Sequence, residues 1–357
     1  MFQPPRCPYR HCTFHQAPAA DSSWFIRHGS YQPLCRPQPV PRFRCQGCRR
    51  TFSRQTFRMD WRDHRPDLNP KLFKLLASGV GLRQSARVLG LGRRCLEVKF
   101  HKIARHLRRL HLNLQEPLPP GSILQLDELE TFEGMRTLRP LTVPVLIERD
   151  SRYVIWAESA PIPARHKKTR HGKRRADELK RKGKRPDGSR RACQRTLSRA
   201  AALAKHLKWI GIQTDMKRSY PGLIRKAFGS GRPIAHGKTE STRTRDISNP
   251  LFAINQTEAI ARDLMGRLRR QSWLVSKKRR YLDLALAMFM TWRNLVRRRF
   301  NHDTRSSAEV LGFVRRRMRE EELCSWRQDW GRQSIHPLAW NSESVESCAQ
   351  RQREGAR

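Results

Sequence analysis

Five of the nine cysteines lie within the first 48 residues: Cys7, Cys12, Cys35, Cys45 and Cys48. A C-x2-C turn such as Cys45-Gln46-Gly47-Cys48 presents two sulfurs to one ion, and zinc takes four tetrahedral thiolate or imidazole ligands. The spacing therefore predicts a structural Zn2+ site built from Cys7, Cys12, Cys45 and Cys48. Because four residues separate Cys7 from Cys12, this first pair is looser than the second, and His11, His15 and Cys35 are alternative ligands. The plainer reading is a set of idle thiols. A disulfide framework would need an oxidising compartment, and the crowding of the cysteines into one segment favours metal over it.

A second set of residues could do chemistry on phosphate. Asp127 sits in an apolar, strand-like run, Asp215 closes another, and Glu258 lies in the first turns of a helix that follows Pro250. Three carboxylates brought to one rim can hold two magnesium or manganese ions ~4 Å apart, one activating a nucleophile and one stabilising the leaving oxygen of a phosphodiester. Spacing alone favours a blander account, in which Asp127 and Asp215 are strand-end residues and Glu258 helps a helix start. Glu128, Glu130 and Glu240 are possible substitutes for the third acid.

The charge of the chain bears on the substrate. Its 357 residues carry 75 Lys plus Arg against 31 Asp plus Glu, a formal net charge of +44. Such an excess repels itself unless a polyanion neutralises it, which argues against a neutral-metabolite enzyme and for nucleic acid. No apolar run approaches the ~20 residues of a bilayer span. The stretch Tyr281 to Trp292 is short, holds Asp283 and is flanked by arginines, and Met1 to Pro8 lacks the apolar core of a secretory signal. The expectation is a cytoplasmic, nucleoid-associated protein with no membrane partner.

These residues must be positioned by recognisable elements. Between Asn69 and Leu110 the apolar positions recur at helical spacing, with Gly79 and Gly90-Leu91-Gly92 as breaks. This gives three helices laid out as a helix-turn-helix, whose last helix enters the major groove of DNA. Its face bearing Arg94, Lys99, Lys102, Arg105, Arg108 and Arg109 is read as turned to solvent or phosphate, with a plain three-helix spacer as the alternative. Pro117, Pro119 and Pro120 mark a linker. Beyond it, 122–132, 141–148 and 152–159 read as three antiparallel strands, 192–209 as a helix, 210–215 as a strand, 220–228 as a small helix and 233–236 as a fifth strand. Ile254 to Trp273 and Lys277 to Phe300 read as long closing helices. A helical crossover would set the strand ending at Asp215 parallel to the one carrying Asp127. The mixed sheet so described is like that of the ribonuclease H-like fold.

Arg165 to Arg191 interrupts this region with almost no apolar residue and cannot build a core. It reads as a mobile arm on DNA phosphates or a solvated insertion. Trp326, Trp330 and Trp340 read as anchors of a C-terminal segment. The expected fold class is multidomain α+β: zinc ribbon 1–60, helix-turn-helix DNA-binding domain 66–112, linker 113–121, mixed α/β catalytic domain 122–300 with insertion 165–191, C-terminal segment 301–340 and disordered tail 341–357.

Several of these residues together resemble the bacterial DDE transposases of insertion sequences, the insertion-sequence-one type in particular. They are Leu126-Asp127-Glu128, Thr214-Asp215 with Tyr220 five residues on, Asn255-Gln256-Thr257-Glu258 with Arg262, Arg267-Leu268, and Ser272-Trp273-Leu274-Val275-Ser276-Lys277. Phe43-Arg44-Cys45-Gln46-Gly47-Cys48, followed by Arg49-Arg50-Thr51-Phe52-Ser53, is similar to the zinc-ribbon opening of that group, so the resemblance spans Cys7 to about Trp292. It implies a ribonuclease H-like catalytic domain, Mg2+ (or Mn2+) dependence, binding of double-stranded DNA at terminal inverted repeats and at the target, a homo-oligomer on DNA, and strand cleavage and transfer in DNA transposition and recombination. It also implies Asp127, Asp215 and Glu258 as the catalytic, metal-binding triad. One departure stands out: in that pattern the acid directly follows the isoleucine, where this chain has Asn255, and Glu258 comes one helical turn later. A DNA-binding regulator that has lost its metals is the alternative function.

Overall fold

The computed structural model describes residues 2–16, 22–32, 38–164, 172–229, 231–269 and 274–326. Cys35, the first part of the basic insertion (165–171), Trp273, Trp330, Trp340 and the tail from 341 lie outside them. The opening unit comprises a one-turn helix α1 (Thr13–Gln16) and an antiparallel sheet of β1 (Phe25–Tyr31), β2 (Val40–Cys45) and β3 (Thr51–Ser53) in that order. Its apolar core is mainly aromatic: Trp24, Phe43, Phe52 and Phe57 pack beside the buried cysteines.

Three helices follow, α2 (Leu68–Ala77), α3 (Leu82–Val88) and α4 (Arg93–Asn113). The turn between α3 and α4 is closed by Leu91 N donating to Ala86 O at 3.0 Å, with Gly90 at φ +61°. That left-handed position suits a residue without Cβ. As the periodicity predicts, α4 buries Leu96, Phe100, Ile103, Leu107 and Leu110.

The larger sheet holds β4 (Ile123–Phe132), β5 (Pro140–Glu148), β6 (Val154–Ala157), the two-residue β7 (Ala160–Pro161), β8 (Ile210–Asp215) and β9 (Ile234–Thr239). Its order is β6-β5-β4-β8-β9, with β7 on β5. β4, β5 and β6 pair antiparallel, whereas β4–β8 and β8–β9 are parallel. The parallel pairs require crossovers, supplied by α6 (Ser189–Leu203), which α5 (Gly172–Lys182) precedes, and by α7 (Tyr220–Phe228). The chain is thus mixed α+β. Leu124, Leu126, Ile210 and Ile212 join a core with α6 and α7, while Leu129, Val143, Val145 and Ile147 face α8 (Phe252–Leu264) and α9 (Arg279–Thr291).

Several boundaries differ from expectation. α8 stops at Leu264, well short of Trp273, and the chain then folds so closely that a Cβ on Gly266 would lie 2.6 Å from Leu274 Cδ1. α9 ends at Thr291 and passes into a π-helical turn at Trp292–Val296. The proline-rich linker is no free tether: Leu114 and Leu118 are buried, and Leu118 N donates to Leu203 O at 3.0 Å. Within the basic insertion, α5 is an ordered helix that buries no side chain. The helices before the linker share one core with the sheet, running from Met59 and Phe73 to Leu126 and Phe313. The C-terminal α10 (Ser307–Val310) and α11 (Glu320–Ser325) fold back, and His106 on α4 bonds Leu323 O at 2.8 Å. Trp326 packs against the same core, as an anchor would. Among the described residues no helix is long and apolar enough to cross a membrane.

Candidate metal centre and carboxylate rim

The four cysteines expected as ligands converge. Their sulfurs all lie within 4.8 Å of one another, with Cys7 Sγ 3.7 Å from Cys48 Sγ and Cys12 Sγ 3.6 Å from Cys45 Sγ. A tetrahedral ion with bonds of about 2.3 Å requires sulfur separations of about 3.8 Å, so the quartet fits such an ion and can bind a structural metal such as zinc. Local backbone explains the convergence. Cys12 N donates to Tyr9 O and Arg49 N to Cys45 O, closing two tight turns, and Arg49 takes φ +59°. Gly47 lets the two turns meet, because a Cβ there would touch the Phe14 ring at 3.0 Å. Burial pushes the Cys7 and Cys45 thiols up, so their thiolate forms call for a cation. His15 is no ligand here: its Nδ1 bonds Cys7 O at 2.7 Å.

Asp127 and Asp215 come together on two inner strands of the large sheet, β4 and β8. The parallel register pairs Leu126 with Thr214, so the next residue of each strand, Asp127 and Asp215, stands level on adjacent strands and on the same face. Burial, and then the charge of Asp215, raises the pKa of Asp127, although Glu128 N donates to its Oδ1 at 2.7 Å. Asp215 Oδ1 accepts from Lys217 N at 3.0 Å. Two carboxylates placed this way repel one another, and a cation between them would relieve the repulsion.

One pleat behind them stands Gln125, a residue sequence reasoning missed. Fully buried, it donates through Nε2 to Gln213 Oε1 at 2.7 Å and to Pro250 O at 2.6 Å, and its Oε1 accepts from Ile254 N at 2.9 Å. It thereby pins the start of α8 beneath the acids. A polar residue between Leu124 and Leu126 in an apolar strand was the available signal. Glu258, 3% exposed, follows Ile254 by four residues, an advance of about 6 Å. Asp127 follows Gln125 by about 7 Å. Thr131 Oγ1 donates to Arg267 O at 2.9 Å, so the two segments run alongside one another. Even so, the cysteine quartet is the metal-ligand cluster found among the described residues, and the three carboxylates do not gather as tightly.

The substitutes for the third acid are placed elsewhere. Glu128 points to the opposite face, where Thr142 Oγ1 at 2.7 Å, Tyr220 OH at 3.0 Å and Lys217 Nζ all donate to it. Burial favours its neutral form, but these bonds and the Lys217 charge hold its pKa below the ordinary range. Glu130 and Glu240 are exposed.

The basic face of α4 needs correction. Arg94 and Arg105 are exposed as expected. Lys99 is 2% exposed: its Nζ meets Asp63, Arg65 O at 2.7 Å and Asn69 Oδ1 at 3.0 Å, tying the loop before α2 to α4. Lys102 Nζ donates to Trp61 O at 2.8 Å and serves the same tether. A long lysine stem lies along apolar surface while its ammonium seeks acceptors, and here the acceptors belong to the protein. Compared with known proteins, the chain matches no family model and no curated protein.

Proposed function

We propose that this chain is a DNA transposase of the insertion-sequence DDE type, which binds the terminal inverted repeats of its element and catalyses metal-dependent strand cleavage and transfer. The observation that carries the reading is the level placement of Asp127 and Asp215 on adjacent parallel strands in a β6-β5-β4-β8-β9 sheet, an order compatible with a ribonuclease H-like catalytic domain. The cysteine quartet supports a structural Zn2+ ribbon, the α3–α4 turn a helix-turn-helix reader, and the charge of +44 a DNA partner. Asp127, Asp215 and Glu258 would hold Mg2+ or Mn2+. When bound, the metal supplies Lewis-acid activation of a nucleophile and neutralises charge at the scissile phosphate. The chain's own part is to set the two aspartates level, to back them with Gln125 and to present duplex through Arg94 and Arg105. A homo-oligomer on two DNA ends follows from this reading.

The looser placement of Glu258 and the presence of Asn255 favour one competing reading, a catalytically inactive zinc-ribbon and helix-turn-helix DNA-binding regulator. A cleavage assay on a duplex carrying the element's end, with Mg2+ or Mn2+, separates the two. Asp127→Asn and Asp215→Asn should each abolish cutting while keeping DNA binding. A parent protein that binds but never cuts would give the regulator.

A further inference from the structure

Three strongly basic elements lie outside the acid rim: the start of α9, the start of α4, and α5. α9 opens on Lys277-Lys278-Arg279-Arg280, all exposed, with no acidic residue in its first turn. α4 opens on Arg93-Arg94, again with no acid in its first turn. α5 carries six basic residues against two acidic ones and buries none. Positive side chains at a helix start oppose the helix dipole, and an exposed helix gains nothing from a core, so neither feature is explained by folding.

Inward-facing acids join these elements. Glu133 accepts from Arg279 N at 2.7 Å and from both Nη atoms of Arg185 at 3.2 and 3.3 Å, linking the start of α9 to the segment after α5. Arg139 Nε donates to Glu178 Oε1 at 2.6 Å and holds α5 by its acidic side. Tyr281 OH donates to Glu97 on α4, and Arg93 and Arg280 both lie within reach of the Glu97 charge. The joints thus link α4, the start of α9 and the segment after α5 to one another, and Arg93, Arg94, Lys277, Lys278 and Arg280 at these places are exposed.

We propose that Arg93, Arg94, Lys277, Lys278, Arg280 and the basic side chains of α5 form one track for the sugar–phosphate backbone of double-stranded DNA, extending the contact made by α4 across the start of α9 to α5. The proposal rests on the DNA reading above and adds the surface along which a duplex held by α4 continues.

The test uses the full-length protein and a random-sequence duplex of roughly 40 base pairs, about four helical turns. The triple variant Lys277→Gln/Lys278→Gln/Arg280→Gln is compared with a control of equal charge loss, Lys205→Gln/Lys208→Gln/Lys226→Gln, whose first two positions precede β8 at the end of the strand opposite Asp215. Each lost phosphate contact lowers the slope of log affinity against log salt by about 0.9. The track variant should lose about 2 to 3 from that slope and bind roughly tenfold to a hundredfold more weakly at physiological salt, with an unchanged Tm, while the control keeps the parental slope. Equal losses in both variants would reduce the track to general charge and overturn it. A parent whose duplex binding does not depend on salt would instead overturn the DNA reading itself. A parent that prefers single-stranded RNA, with both variants equally weakened, would assign the surface to another polyanion.

Discussion

Lys217 Nζ binds Glu128 Oε1 across the acid end of the large sheet, tying the residue after Asp127 to the residue two after Asp215. The pair therefore bridges the middle of β4 to the turn that follows β8. Lys217 is partly exposed but Glu128 is largely enclosed, its second oxygen taken by Thr142.

Removing the cation should cost more than removing the pair. Lys217→Met leaves Glu128 enclosed without its ammonium and should destabilise the protein by about 1–3 kcal/mol, whereas Lys217→Met with Glu128→Gln should recover part of that loss, and Lys217→Arg most of it. Urea unfolding of the three variants measures the difference. Equal stability of Lys217→Met and the parent would show that Tyr220 and Thr142 suffice.

Metal removal should act locally. A core made of few aromatic rings around four thiols is too small to fold without help, and binding energy at such a site is folding energy. Chelation should therefore loosen residues before Asp60, reported by Trp24 fluorescence and by alkylation of Cys7, Cys12, Cys45 and Cys48, and leave the sheet intact by circular dichroism. Slow alkylation after full chelation would assign the fold of this unit to its aromatic packing alone.

How far the sequence revealed this architecture depends on whether a feature is periodic. Cysteine spacing, the apolar strands carrying Asp127 and Asp215, and the Gly90 turn are local patterns, and the structure has the sulfur cluster, the parallel register and the turn. Lys99 was misplaced because a helical wheel counts any lysine as surface, whereas its acceptors, Asp63, Arg65 and Asn69, come from a segment some thirty residues earlier. Leu118 and Leu323 carry similar long-range contacts that no window shows, so the packing of the linker and of α11 went unseen. Gln125 is the instructive miss: one polar residue in an apolar strand organises the helix that carries Glu258.

The two kinds of basic residue on α4 should separate cleanly. Lys99→Met strands Asp63, whose pKa is held down against burial by the Lys99 and Asn69 hydrogen bonds, and should cost about 2–4 kcal/mol of stability. Arg94→Ala should leave stability within about 0.5 kcal/mol of the parent and weaken DNA binding instead. Thermal unfolding beside a binding titration reads both, and an Arg94→Ala protein with undiminished affinity would make α4 a spacer.

Stability should fall as the solution becomes mildly acidic. Burial lowers His106 and His111 from 6.5 to about 4 in the folded chain, where they bond Leu323 O and Ile155 O. Between those values the unfolded chain binds more protons, so stability is full above pH 6.5 and drains as pH falls toward 4, by at most about 3 kcal/mol per histidine. Asp63 and Glu128, held low, contribute their own loss only below their ordinary range. Urea midpoints at pH 7 and pH 5 should therefore converge in a His106→Gln/His111→Gln variant. A variant as pH-sensitive as the parent would place the proton uptake elsewhere.

The third acid is the sharpest test of the chemistry. Glu258 is buried in α8 four residues after Ile254, whose N–H is fixed by Gln125, so it follows the acids' own strand at nearly equal rise. Asn255 is half-buried, one residue past that anchor. If Glu258 completes the metal set, Glu258→Gln should lower metal-dependent cleavage by at least a hundredfold, about 2.7 kcal/mol of barrier, and raise the Mn2+ concentration needed for half-maximal rate. Asn255→Ala should change both by less than about threefold. Gln125→Leu should sit between them, because it frees the start of α8 without removing a ligand, and extra Mn2+ should restore part of its rate. Should Asn255→Ala prove the more damaging, the metal set shifts one turn toward the helix start; should Glu258→Gln cut as well as the parent, Asp127 and Asp215 work with an acid from another element, and Glu258 is a buried carboxylate of the fold.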